Sequence, residues 1–317
     1  MSRTDSEENL HDEAARAGWL YYVGGKTQDQ IAAELGVSRQ RAQRLVSRAM
    51  AEGLVHVRLE HKISSCLALE ADLARRFDLQ EVRVAPGLGP NSDPTRAIAA
   101  TAASVIEKYL KSAAPLIIAI GTGRALRAAV DEMVPMDADQ HRIVSLIGNI
   151  APDGSASHYD VIVRMSDRVR ARHFPMPVPV LSDTTEERSL FQRLRTSRIV
   201  FELAHTADVT FIGIGQMTAD APLLKDGFVS AEELAEMQAG GATGEIAGWI
   251  YDAEGQYLSG GINSRVGSVR VEPDRTAPTI GIAAGSTKVP AIFAALKGRL
   301  INGLITDEPT ATALLSL

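Results

Sequence analysis

Four arginines (Arg39, Arg41, Arg44, Arg48) and two glutamines (Gln40, Gln43) fall between residues 38 and 50, with no Asp or Glu among them. A guanidinium donates two parallel hydrogen bonds to a guanine edge, a glutamine amide matches an adenine edge, and both hold phosphate oxygens. Such chemistry needs a rod that fits a DNA groove, and the flanking pattern supplies one. At about 100° per residue from Arg41, the residues Ala42, Leu45, Val46, Ala49, Met50 and Gly53 fall in a sector of roughly 40° to 180°. The cations and amides fill the rest. Ile31, Ala32 and Leu35 form a second stripe; Gly36 frees the backbone for a sharp turn, Val37 anchors it, and Ser38 stands where the next helix needs a cap. Residues 27–50 therefore read as a helix-turn-helix. Arg39, Gln40, Gln43 and Arg44, just behind Ser38, are the base-contact candidates, while Lys26, Thr27, Gln28, Arg48 and Arg58 are placed to hold the DNA backbone. A merely solvated basic helix is the alternative; the turn grammar before it favours DNA.

The whole chain has 317 residues, 45% of them hydrophobic, enough for two cored domains. Its formal net charge is −6, so affinity for nucleic acid must come from a local patch. The single cysteine, Cys66, excludes internal disulfides, and Ile63, Leu67 and Leu69 around it suggest a packed structural thiol. With no apolar leader and no apolar run of membrane length, the expectation is a cytoplasmic protein without a membrane partner. His158, His173 and His205 lack ligand spacing, so neither metal nor cofactor is expected.

The elements that must position these groups follow in order. Residues 9–23 read as a first helix behind an acidic, frayed start, then comes the pair at 27–50. Residues 54–59 alternate like a short strand, a wing, and 60–72 read as a connecting helix. The boundary is placed at 62, giving an all-α helix-turn-helix domain over 1–62 and an effector and oligomerisation domain over 63–317. In the second, strands at 82–85, 116–120, 143–147, 209–214, 280–284 and 300–305 alternate with helices at 94–110, 124–134, 288–297 and 308–315. Strand, glycine, helix, repeated, means a doubly wound, mostly parallel α/β sheet. The Pro-rich stretch 174–180 suits an edge or extended chain, and Gly255 with Gly260-Gly261 suggests a hairpin insertion.

Ligands of such sheets bind beyond the carboxyl ends of the strands. Gly121, Thr122, Gly123 and Arg124 have the features of an anion cradle: approachable backbone N–H groups, a hydroxyl, a helix start and a cation. A dinucleotide loop is the rival, but position 126 is Leu where a third glycine is needed. Gly148-Asn149, Gly215-Gln216 and Gly285 end other strands at the same edge. Lys288 would face it, to hold a phosphate or a sugar hydroxyl or, in an enzyme, to form a Schiff base. Glu245 would accept hydrogen bonds from sugar hydroxyls. A solvated lysine and a surface carboxylate are the bland alternatives.

Several motifs, in order and spacing, resemble the SorC family of bacterial sugar-responsive transcriptional regulators. They are the turn Gln28…Ile31-Ala32…Leu35-Gly-Val-Ser38, Ile120-Gly-Thr-Gly-Arg-Ala-Leu126, Phe211-Ile-Gly-Ile-Gly215, Gly244-Glu-Ile-Ala-Gly248, Tyr251-Asp252…Gly255, Asn263-Ser-Arg-Val266, Ala284-Gly285…Lys288…Ala291-Ile292 and the closing Asn302-Gly-Leu-Ile-Thr-Asp-Glu308…Thr310-Ala311. The resemblance spans essentially the whole chain. It implies an effector domain akin to sugar-phosphate isomerases and deaminases, fused to a DNA reader and assembled as a homodimer or homotetramer on a double-stranded operator near carbohydrate or polyol catabolic genes. The loop at Gly121–Arg124 would then hold a phosphate or its substitute, with Gly148, Asn149, Gln216, Glu245 and Lys288 lining the rest. One departure is Ala125, where the family often has a hydroxyl residue, which leaves sugar, polyol and sugar phosphate all open as effector. An isomerase- or deaminase-type enzyme carrying an accessory DNA-binding domain is the rival reading; a DNA-binding architectural protein with a vestigial pocket is a third.

Overall fold

The computed structural model describes residues 3–55, 63–89, 91–148, 150 and 161–317, with side chains from residue 9 onward. Most of the expected 54–59 strand, Arg58, Asn149 and His158 lie outside the described residues. The chain divides into two compact units, Met1–His61 and Lys62–Leu317, each with its own core.

The first unit holds α1 (Arg3–Tyr22), α2 (Gln28–Leu35) and α3 (Arg39–Ala51). Helix α1 starts earlier than the apolar pattern suggests, because nothing before Gly18 breaks it. Thr27 and Gln30 form a reciprocal capping box on α2, the Gln30 side chain accepting from the Thr27 N–H at 2.9 Å. Ser38 Oγ caps α3 by accepting from the Arg41 N–H at 3.2 Å. Between them Gly36 takes the left-handed φ of 65° that turns one helix into the next. Ala42, Leu45, Val46 and Ala49 are buried against Ala14, Ala17, Ile31 and Ala32; Met50 is only partly covered and Gly53 is exposed, so the apolar sector is narrower than the angles implied.

The second unit begins with α4 (Ser64–Phe77), which is more than the expected connector. It packs on the first strand and the last helix, burying Cys66 and Leu73 in the core. The sheet strands are β1 (Glu81–Ala85), β2 (Ile117–Ile120), β3 (Arg142–Gly148), β4 (Arg172–Met176) and β5 (Val209–Gly213). An insertion carries β6 (Gly215–Gln216), β7 (Gly244–Ile246) and β8 (Trp249–Tyr251), and the sheet resumes with β9 (Thr279–Ile282) and β10 (Gly303–Asp307). Helices α5 (Pro94–Leu110), α6 (Arg124–Glu132), α7 (Val161–Val169), α8 (Thr185–Arg193) and α9 (Arg195–His205) connect the first five strands. The short α10 (Pro222–Lys225) and α11 (Ala231–Ala239) belong to the insertion, and α12 (Val289–Lys297) and α13 (Glu308–Ser316) close the chain.

Seven strands, all parallel, lie in the order β1-β10-β9-β5-β2-β3-β4. Strands β9 and β10 are buried throughout, as continuous apolar runs covered on both faces must be. One face packs Ile98, Ile106, Leu126, Phe211 and Ile282; the other packs Val84, Leu146, Ile212, Ile292 and Leu304. The Pro-rich stretch supplies β4, at the edge, where Pro175 withholds no ladder donor that a second neighbour would need. The insertion turns at Gly255, between Tyr251 and its antiparallel partner Tyr257, as expected, and it turns once more before that, at Ala247-Gly248 between β7 and β8. Helices α7, α8, α9, α10 and α11 have no counterpart in the sequence-based reading.

Replacing Gly36 by valine forces a β-branched side chain into the left-handed region. The expected cost is about 1–2 kcal/mol to the first unit alone. Denaturant unfolding followed by circular dichroism should show that unit melting earlier with the second unchanged; an unaltered profile would mean the turn tolerates a side chain.

Candidate functional site

On α3 the residues Arg39, Gln40, Gln43 and Arg44 are exposed along one side, opposite the buried Ala42, Leu45, Val46 and Ala49. Their arrangement follows from the helical period alone. Ser38 and Thr27 use their hydroxyls as caps, which sets them at helix starts, where backbone N–H groups also point outward. Four of the six Lys and Arg of this unit whose side chains are described face a carboxylate: Lys26 pairs with Glu34, Arg39 with Asp29 at 3.4 Å and Arg48 with Glu52 at 2.5 Å. Arg41 is tied to Glu13 of α1 at 2.8 Å, a partner that helical periodicity within α3 does not reveal. Arg44 instead reaches back to the Gln40 carbonyl at 3.4 Å. Exposed pairs of this kind contribute little and exchange readily for a phosphate.

In the second unit the strand ends do meet. Beyond β2 and β5 lie two adjoining cavities of about 220 and 70 Å³, which share Thr122, Gly123, Gly213, Pro222, Asp226 and Glu245. Every expected effector residue within the described residues lines one or both: Gly121, Thr122, Gly123, Arg124, Gly148, Gly215, Gln216, Glu245, Gly285 and Lys288. The position is dictated by topology. From β2 the chain steps outward through β3 to β4; from β5 it steps the other way through β9 to β10. The connections diverge at that point and leave a crevice between them. Gly123 and Gly285, with φ of 123° and 116°, open α6 and the 3-10 turn Ser286–Lys288 in conformations that a side chain resists. No side chain caps α6, so its first N–H groups face the cleft.

The polar walls come from the insertion. Gln216 is 3% exposed, and its amide donates to the Asp220 carboxylate, leaving Oε1 without a hydrogen-bond donor among the described residues. Lys288 Nζ donates to the Ile214 carbonyl at 2.5 Å, and burial pushes its pKa down, with Arg124 adding to that and Glu245 opposing it. Glu245 accepts from the Gly248 N–H at 2.8 Å; burial pushes its pKa up, against the pull of that bond and of Lys288, and Asp226 adds to the rise. Gly215 must lack a side chain because a Cβ there would run into the Glu245 carboxyl. Asp93, Thr95, Asp220, Asp226 and Thr287 also line the cleft and were not anticipated. Only Asp93-Pro94, a helix-start signal, marked any of them in the sequence.

A roomier groove of about 500 Å³ runs between α11 and residues 258–265. Its polar groups satisfy one another: Asn263 bridges the Ile250 backbone, and Arg265 pairs with Glu233 at 2.7 Å. The strand-end cleft is smaller but holds the unsatisfied chemistry. Among the described residues no cluster could hold a metal ion, and no helix is long and apolar enough to cross a membrane.

Glu245 supplies a pH test. Its folded pKa lies above the ordinary 4.5, so the folded state binds that proton more tightly than the unfolded chain. Its contribution to stability therefore falls as pH rises from 4.5 through the raised value. Glu245→Gln should melt above wild type at pH 7, with the gap closing towards pH 4.5. A constant gap, or a lower melting temperature at pH 7, would show that the ionised carboxylate is well accommodated.

Comparison with known proteins agrees with this arrangement. The family model described as “Putative sugar-binding domain” matches residues 61–316, and a MarR family model matches 17–61. The erythritol catabolism regulatory protein EryD of Brucella abortus (strain 2308) is 34% identical over 311 residues, covering 98% of both chains. The transcriptional regulator LsrR of Enterobacter sp. (strain 638) is 33% identical over 318 residues, covering 98% of this chain and 94% of that one. The crystal structure of the full-length sorbitol operon regulator SorC from Klebsiella pneumoniae superposes with a TM-score of 0.72 at 27% identity, over 95% of this chain and 97% of that one. With a reading helix in one unit and a polar cleft at the switch point of the other, the chain belongs to the SorC family of sugar-binding transcriptional regulators.

Proposed function

We propose that this chain controls a carbohydrate or polyol catabolic operon in the cytoplasm, binding operator DNA through α3 as a homodimer or homotetramer and responding to a small sugar, polyol or sugar phosphate in the strand-end cleft. The observation that carries the effector half is Gln216 Oε1, a buried acceptor with no donor among the described residues. An orphaned carbonyl costs about 1–3 kcal/mol, which a ligand hydroxyl would recover. Glu245 and Asp226 supply further acceptors, while Arg124 and the α6 start supply donors at the other end. The regulators to which the chain is similar carry the DNA half, together with the exposed Arg39, Gln40, Gln43 and Arg44.

The cleft is read as a binding site rather than a catalytic one. Lys288 is anchored on the Ile214 carbonyl and Glu245 on the Gly248 N–H, contacts that fix both groups for recognition, and the relatives to which the chain is similar are regulators. Turnover of any sugar phosphate at an ordinary enzymatic rate, followed by NMR, would contradict that.

Two substitutions separate the halves. Arg44→Ala should weaken operator binding by about 1–3 kcal/mol in a fluorescence-anisotropy titration and relax specificity at one position. Lys288→Ala should leave operator affinity near wild type and abolish the shift caused by sugars, polyols or their phosphates. If wild-type protein prefers no operator fragment over random duplex, with or without these compounds, the proposal fails.

A further inference from the structure

Helix α8 is amphipathic yet buries no residue completely. One side is anchored to the second unit: Arg188 Nε donates to the Val266 carbonyl at 2.6 Å, its guanidinium lies 5.4 Å from the Trp249 ring centre, and Phe191 packs against the core. The opposite side carries Glu186, Leu190 and Arg193, all exposed, with Leu194 directly after. Leu190 is 57% exposed and Leu194 44%, and Ile199 on α9 is 43% exposed. Leu190 and Leu194 thus leave apolar surface open that no described residue covers.

We propose that this face pairs with the same face of a second copy of the chain, the two α8 helices running antiparallel about Leu190. The argument is the order of charges. Glu186 and Glu187 occupy the first turn of α8 and Arg193 the last, with Arg195 opening α9. Leu190 stands midway, four residues after Glu186 and four before Leu194. A two-fold axis at Leu190 therefore sets leucine on leucine and lays the acidic turn of each copy beside the basic turn of the other. A parallel arrangement would set like charges together. Among the described residues neither Glu186 nor Arg193 has a charged partner, so both are available for the exchange. The contact is isologous and closes on itself, the symmetry most soluble oligomers use. Along α9 it extends over Arg198 and Ile199, because a stable interface needs about 800 Å² from each partner and α8 alone is too small.

The proposal rests on the self-association in the functional reading above; its test is sedimentation equilibrium of the full chain over a range of concentrations, without DNA or effector, where a wild-type monomer removes both and a change confined to the variants speaks for this face alone. Wild type should self-associate. Leu190→Asp should weaken that step about ten-fold or more, leaving the smaller species. Glu186→Arg and Arg193→Glu should each weaken it, and the double variant should recover most of the loss, since the swap restores opposite charges across the axis. All substituted side chains are exposed, so circular dichroism and melting should match wild type, separating lost pairing from lost folding. A wild-type monomer throughout the range would overturn the proposal. So would undiminished association in Leu190→Asp, which would mean that another surface joins the copies or that this one is covered otherwise. Failure of the double charge swap to recover would equally overturn it.

Discussion

The reversal of winding between β2 and β5 is the constraint on which the second unit depends. The connection that leaves β2 enters α6 on one face of the sheet, while α12, reached from β9, lies on the other. Two adjacent parallel strands therefore end with nothing packed across their tips. A hydrophobic core cannot fill the gap, because the tips expose backbone N–H and C=O groups that need polar partners. The insertion between β5 and β9 answers that need with polar side chains rather than apolar ones, and so makes a cleft instead of a plug.

That solution is held at a cost to the unliganded unit. Glu245 and Lys288 sit together where burial disfavours the charged form of each, and their mutual attraction offsets the penalty only in part. Gln216 adds an acceptor without a donor among the described residues. Buried groups with such perturbed protonation and unmet hydrogen-bonding capacity, gathered in one cleft, are what a polar ligand would satisfy. The surrounding sheet, with β9 and β10 buried along their whole length, supplies the rigidity that keeps them in place.

Much of this was legible in the sequence because it is local. Asp93-Pro94 and the Ala-rich stretch after it mark α5 to within a residue, and each strand followed by glycine announces a turn at the same sheet edge. The loop 121–124 and Lys288 could therefore be assigned to one place without coordinates. What failed was non-local or lacked a stripe. Asp220 and Asp226 reach the cleft from an insertion whose path no periodicity encodes. Helix α8 escaped notice because it buries no residue completely and its inner anchor, Arg188 on Trp249, joins residues far apart in the chain. The Arg41–Glu13 pair joins α1 to α3 across the first unit, so a cation that looked free on a helical wheel is already engaged.

The charge balance of the first unit limits how it meets DNA. Residues 1–61 hold eight Lys and Arg against nine Asp and Glu, so the unit is not basic overall, and the chain as a whole carries −6. Long-range attraction is therefore weak, and under the proposed function α3 would exchange carboxylate partners for phosphates at the moment of contact. One such helix makes few contacts, and specific affinity of the usual size needs two half-sites read together. In the proposed homo-oligomer, any influence that changes how copies pair would change DNA affinity far more than it changes either helix. For a cleft ligand to exert that influence it must bind one pairing more tightly than the other, because equal affinity moves no equilibrium. The insertion is suited to that role: β7 carries Glu245 into the cleft, and β8, hydrogen-bonded beside it, carries the Trp249 on which Arg188 anchors α8. A ligand that draws on Glu245 thus acts two strands away from the helix whose outer face holds Leu190.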